Sequence, residues 1–154
     1  TLVPYYKPSM EAQMFATVLS TSNSLITYRR RYRSFIQLPS ILELLLTDKN
    51  YPRALAYQLH QLQRMIAELP QDQPAAQTSE DRILISEAFA ELSSANLKQL
   101  AQLSISDNCY PLLEELLTVQ KERLEKLSEA LTQLYFSPTL VPQRLGAVAH
   151  WKKS

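Results

Sequence analysis

Residues 52–69 read PRALAYQLHQLQRMIAEL, and this stretch decides the fold of the chain. Its large aliphatic residues recur every three to four positions, which is the spacing of one face of an α-helix: Leu55, Leu59, Leu62, Ile66 and Leu69. Pro52 is favoured at the first position of a helix, and Pro70 cannot extend one. We therefore predict a helix over 52–69 with a narrow apolar face for a neighbouring helix.

Helical periodicity continues on both sides of this segment. The predicted further helices cover about 9–20, 24–37, 41–47, 79–104 and 111–136. Ser40 followed by Glu43 has the spacing of a capping box and predicts the start of the third of these six helices. Gln120 stands in the last helix where the pattern calls for an apolar residue.

Composition supports the same fold class. The chain of 154 residues has one glycine, Gly146, and its apolar residues are mainly Leu and Ala, which favour helices over sheet. We predict an all-α protein, an antiparallel helical bundle of five to six helices. Residues 1–136 form the bundle domain in this prediction, and 137–154 form a C-terminal tail.

Charge and cysteine content restrict the function classes. Sixteen basic and fifteen acidic residues give no overall field toward nucleic acid or an anionic membrane, so neither is expected as a partner. The single Cys109 excludes an internal disulfide, and the default expectation is the cytoplasm. The absence of an initiator Met leads us to expect part of a longer protein.

Most catalytic and cofactor signatures are absent from the sequence. One glycine cannot supply a phosphate-binding loop or a dinucleotide fingerprint. His60, His150 and Cys109 are far apart, so we expect no metal and no cofactor. Glu87 and Glu91 share a helix face and could do acid/base work, but such pairs are usually solvated, which is the expectation here.

A local cationic segment, YRRRYR at 28–33, stands out on this near-neutral chain. On a helix Arg29, Arg30 and Arg33 lie together beside the apolar face, and Arg31 lies on its other edge. Their guanidinium groups could bind phosphate or carboxylate, or they could be solvated or paired with acidic residues of a neighbouring helix. The second interpretation is slightly favoured, and both stay open. Tyr28 belongs to the apolar face.

Three segments carry a family resemblance: LITYRRRYR at 25–33, ILELLLTD at 41–48 and PRALAYQL at 52–59. In order and spacing they resemble the C-terminal half of the bacterial α-E domain family. The resemblance implies that an N-terminal half precedes Thr1 and that this half or a homo-oligomer completes the domain. Tyr51 and Ala54 depart from the asparagine and serine of the family pattern.

The resemblance also implies a context. Proteins of the family that this chain resembles look like partners of ATP-grasp peptide ligases and transglutaminase-like proteases, to which they are either fused or encoded nearby. Our first hypothesis is an accessory helical domain of an ATP-grasp-type amide or peptide ligase system that binds a partner or an anionic ligand. The alternative is an enzyme acting on a peptide or amino-acid substrate in amide-bond chemistry, with catalytic residues unknown.

The candidate binding residues combine the cationic segment with the polar residues of the following turn. They are Tyr28, Arg29, Arg30, Arg31, Arg33, Asp48, Arg53 and Gln58. Arg53 lies nearly opposite the apolar face of its helix, so we predict that it finds a partner in the preceding loop, with Asp48 as the nearest acidic candidate.

Overall fold

The computed structural model describes residues 9–33, 35–70, 79–105 and 108–136, and these ranges contain helices and no strand. Five helices have eight or more residues: α1 (Met10–Thr21), α2 (Leu25–Tyr32), α4 (Leu55–Glu68), α5 (Glu80–Ser94) and α7 (Pro111–Leu131). Two are short, α3 (Leu38–Leu42) and α6 (Leu97–Leu100). The all-α prediction is confirmed. The predicted tail lies outside the described residues.

Two of the helices end in a wider π-helical turn. α3 continues into Glu43–Thr47, and α7 continues into Thr132–Phe136. The first of these turns delivers the chain to Asp48, whose backbone is extended and whose N–H donates to the Glu43 carbonyl at 3.0 Å. Such turns are rare and occur often beside functional residues.

The main core lies between α4, α5 and α7, and α5 runs antiparallel to both of the others. Gln63 of α4 reaches Ser86 of α5 at 3.3 Å, and Gln120 of α7 reaches the carbonyl of Ala88 at 3.1 Å. The buried side chains that fill this core are aliphatic and include Leu59, Ile66, Ile85, Leu92, Leu116 and Leu127. The three helices predicted to be longest are the ones that build it.

Arg82 of α5 covers the C-terminal end of α4. Its Nη2 lies 3.4 Å, 3.3 Å and 3.4 Å from the carbonyl oxygens of Ile66, Ala67 and Leu69. The last carbonyls of a helix have no partner within the helix, so a guanidinium group from the neighbouring helix satisfies them. This contact joins the two helices of the hairpin independently of the apolar core.

A second, smaller core lies where α1, α2 and α3 meet. Leu19, Tyr28, Ile41 and Leu44 are buried there, each with 3% or less of its surface exposed. Ser24 is also fully buried, and its hydroxyl accepts a hydrogen bond from the Tyr51 hydroxyl at 2.8 Å. This core positions α2 and the turn after the first π-helical segment.

The sequence misplaced the boundary between α2 and α3. α2 ends at Tyr32 instead of continuing to 37, and Ser40 lies inside α3, so the predicted capping box is wrong. Pro39 occupies the first turn of α3, after Gln37, which stands at the N-cap position with an extended backbone and no capping hydrogen bond from its side chain. The preference of proline for the first helical turn therefore prevails over the capping-box spacing.

Two other boundaries also differ from the prediction. Pro52 lies in a turn closed by the Ala54 N–H and the Tyr51 carbonyl at 2.9 Å, and α4 begins only at Leu55. The helix predicted over 79–104 stops at Ser94, because Asn96 caps α6 with hydrogen bonds from the N–H groups of Lys98 and Gln99.

Candidate functional site

The candidate site is built on α2, whose two faces have opposite character. Tyr28 faces inward and is fully buried, whereas Arg29, Arg30 and Arg33 are exposed on the outer face. We call these three residues the arginine ridge. None of the three makes a hydrogen bond or ion pair through its side chain with another residue that the structure describes.

Tyr28 holds the chain that leaves α2. Its hydroxyl donates to the Phe35 carbonyl at 3.2 Å and accepts from the Gln37 N–H at 3.0 Å. Its ring lies 4.9 Å from the ring of Tyr32. Tyr28 therefore positions the backbone beside the ridge from within the core, and its side chain has no surface left for a ligand.

Arg33 ends α2 in the left-handed region, with φ 46° and ψ 20°. A residue with a Cβ atom pays about 1–2 kcal/mol in this conformation, and glycine or asparagine is usual at such a position. Here a long cationic residue occupies it and lies exposed at the end of the ridge. Strain of this kind is often found at functional positions.

Arg31 leaves the ridge and pairs with Asp48. Its Nη1 donates to Asp48 Oδ2, and the other carboxylate oxygen accepts from the Asn50 N–H at 2.8 Å. The Asp48 side chain is 11% exposed and that of Arg31 43%. The ion pair thus ties α2 to the turn that follows the π-helical segment.

Both pKa values in this ion pair shift in the direction that favours charge. The hydrogen bond to Asp48 raises the pKa of Arg31. Burial alone would raise the pKa of Asp48, but Arg31 and the N–H groups of Asn50 and Tyr51 outweigh it and hold that pKa below its usual value. Asp48 is therefore held as a carboxylate, a bracing role and not that of a proton donor.

Tyr32 lies next to this pair on α2. Its hydroxyl oxygen is buried and makes no hydrogen bond of good geometry with a described residue. Burial raises the pKa of Tyr32; nearby Glu43 adds to the shift, while Arg31 opposes it. The pKa shifts of Arg31 and Asp48 thus come from their mutual hydrogen bond and the neighbouring N–H groups, whereas that of Tyr32 comes mainly from burial.

Arg53 and Gln58 both contact the backbone. Arg53 Nη1 donates to the Ser22 carbonyl at 3.2 Å, and Gln58 Nε2 donates to the Pro52 carbonyl at 2.6 Å. The predicted salt bridge from Arg53 to Asp48 is wrong, because Arg31 occupies that carboxylate. Arg53 instead contacts the turn between α1 and α2, so it is anchored as expected but not through the preceding loop.

The eight predicted site residues therefore separate into two groups. Five of them make internal contacts that fix the local structure: Tyr28, Arg31, Asp48, Arg53 and Gln58. The other three residues form the arginine ridge, whose positive charges are not paired with a described residue. The predicted binding role of the set stays a prediction, and the ridge is the part of it with accessible guanidinium groups.

A second polar cluster, which the sequence did not predict, lies between α5 and α7. Arg123 Nη1 donates to Glu91, and its Nε lies 4.0 Å from Glu87 Oε2. Gln120 is 2% exposed and donates to Glu91 Oε2 at 3.0 Å. Glu87 and Glu91 were expected to be solvated, but they converge on one arginine 32 to 36 positions away, which no local pattern reveals.

Two negative findings concern the described part of the chain. Within it, no group of three or more His, Cys, Asp and Glu side chains is arranged to hold a metal ion. No helix in these ranges is both long enough and apolar enough to cross a membrane.

The sequence of the chain is similar to those of known proteins. A family model described as a predicted alpha-helical domain with a conserved ER motif matches residues 2–136. Uncharacterized proteins of Mycobacterium bovis and of two Mycobacterium tuberculosis strains are 27% identical to the chain over 132 residues. The match covers 86% of this chain and 14% of the length of each relative. No solved structure matches.

Proposed function

This chain belongs to the Alpha-E family, and on that premise we propose that it is an accessory helical domain of an ATP-grasp-type amide or peptide ligase system. In this proposal the arginine ridge binds an anionic ligand or an acidic surface of the ligase partner. The observation that carries it is the exposure of Arg29, Arg30 and Arg33 on or beside a braced helix, without side-chain partners among the residues that the structure describes.

The construction of the ridge supports a binding role. Arginine presents a planar fork that pairs with carboxylate and phosphate through two hydrogen bonds, and it keeps its charge at every physiological pH. The Arg31 ion pair and the two Tyr28 hydrogen bonds fix the helix that carries the ridge. A helix held in this way reduces the ordering that a ligand must impose when it binds.

The length of the relatives supports an accessory role. In the mycobacterial proteins the matched segment is a small part of a much longer chain. That arrangement suits a domain that works beside larger functional units.

The experiment is a binding titration between this chain and an ATP-grasp ligase from the same organism. We expect single charge reversals, Arg29→Glu, Arg30→Glu and Arg33→Glu, to weaken binding by at least about tenfold each and to reduce its salt dependence. Arg64→Glu is the matched control, because Arg64 is an exposed arginine on α4. Equal affinities for the ridge variants and the control would contradict the proposal.

A further inference from the structure

One face of α7 carries a groove that the proposed function does not use. It is an open, largely apolar hollow of about 460 Å³ along the first three turns of the helix. Its walls come from Cys109, Tyr110, Leu113, Glu114, Leu117, Thr118 and Lys121. Leu117 is 44% exposed, so an apolar side chain lies open to water at the middle of the groove.

The apolar surface continues past the end of the groove. Tyr110 forms the end wall, and its hydroxyl donates to Glu11 of α1. Beyond it on α1, Met10 and Met14 are 80% and 61% exposed. Met10 and Met14 line a second hollow together with Tyr110, which joins this surface to the groove. Exposed apolar surface of this kind on a folded domain marks an interface, and methionine side chains adapt to the shape of a partner.

Two opposite charges lie at the rim of the groove. Glu114 and Lys121 flank Leu117 and Thr118 on the same face, seven residues or about 10.5 Å apart along the helix. Glu114 makes no ion pair with a described residue. Among the same residues, Lys121 makes one ion pair, an exposed contact with Glu125 at 3.8 Å. Because this acid and this base lie at equal distances from the midpoint between Leu117 and Thr118, the same face turned by 180° presents the opposite charge at each position.

We infer that this groove is the contact surface for a second copy of the chain, with the two α7 helices antiparallel across a two-fold axis at Leu117 and Thr118. That symmetry places Glu114 of each protomer opposite Lys121 of its partner. It also brings the two Leu117 side chains together, where they exclude water from the centre of the groove. The inferred dimer uses neither the arginine ridge nor the contacts that brace it.

The test is a charge swap followed by sedimentation equilibrium over a range of protein concentrations. Glu114→Lys and Lys121→Glu alone each place like charges opposite one another twice in the dimer, and each should raise its dissociation constant by about tenfold or more. The double variant Glu114→Lys/Lys121→Glu restores opposite charges and should recover wild-type association. A double variant that associates as weakly as the single variants would overturn the antiparallel register.

A cross-linking experiment locates the axis independently. In a Cys109→Ser background, Thr118→Cys should form a disulfide-linked dimer under mild oxidation, because residue 118 lies next to the two-fold axis. Lys126→Cys is the control, eight residues further along and about 80° further round an exposed part of α7. Equal cross-linking of the two variants would overturn the proposed axis. A protein that stays monomeric at all concentrations would assign the groove to a segment of a longer chain.

Discussion

The two hydrogen bonds of the Tyr28 hydroxyl should contribute measurably to stability. Tyr28→Phe keeps the buried ring, so apolar burial is unchanged and only the contacts to Phe35 and Gln37 are lost. At about 1 kcal/mol net for each hydrogen bond, the free energy of unfolding should fall by about 2 kcal/mol. For a domain of this size that corresponds to a Tm lower by about 4–8 °C.

The assay is urea unfolding followed by far-UV circular dichroism, with the midpoint expected to fall and the slope to stay constant. Tyr57→Phe is the control, because the Tyr57 hydroxyl has no hydrogen bond to a described residue. The control should stay within about 0.5 kcal/mol of wild type. If the two variants unfold together, the assigned role of the Tyr28 hydroxyl is wrong.

Three further predictions concern backbone strain and titration. Arg33→Gly should raise stability by about 1 kcal/mol by relieving the left-handed conformation, whereas Arg30→Gly inside α2 should lower it by about 1 kcal/mol, as thermal unfolding will show. The pKa of Asp48 is lowered, so its carboxylate stabilises the fold above pH 3.8, and this stabilisation disappears as the pH falls below that value. In Asp48→Asn the free energy of unfolding should therefore fall less steeply as the pH is lowered. The hydrogen bond to Glu11, together with burial, raises the pKa of Tyr110 from 10.0 to about 12. The protonated hydroxyl therefore stabilises the fold fully below pH 10, and this stabilisation is lost as the pH rises to about 12. An ultraviolet titration should find this pKa lowered in Glu11→Gln, and an unchanged value would contradict the contact.

Much of the fold was predictable because apolar periodicity reports burial directly. The face of α4 that holds Leu59 and Ile66 is the face that the core buries. The break at Ala95 was missed because the apolar period of α5 resumes in α6, at Leu100, and hides the change of direction. Its signal was present in Asn96, a residue that favours the cap of a helix over its interior.

The site was predictable in its composition but not in its pairing. The sequence indicated a basic segment and a neighbouring Asp48, yet it assigned that carboxylate to Arg53 on grounds of proximity along the chain. Arg31 reaches Asp48 because the small core around Tyr28 brings α2 against the π-helical turn. Such a partner depends on tertiary packing, as does the contact between Arg123 and Glu91.

The Arg82 contact at the end of α4 has a consequence for protein engineering. The carbonyl oxygens of Ala67 and Leu69 contact Arg82 of α5 across the hairpin, and the Ile66 carbonyl is shared between Arg82 and the N–H of Leu69. The backbone could therefore be cut between Pro70 and Ser79, giving two fragments that each carry their own part of the main core. We expect the fragments to reassemble when mixed, which would make this hairpin a usable split point for a complementation reporter.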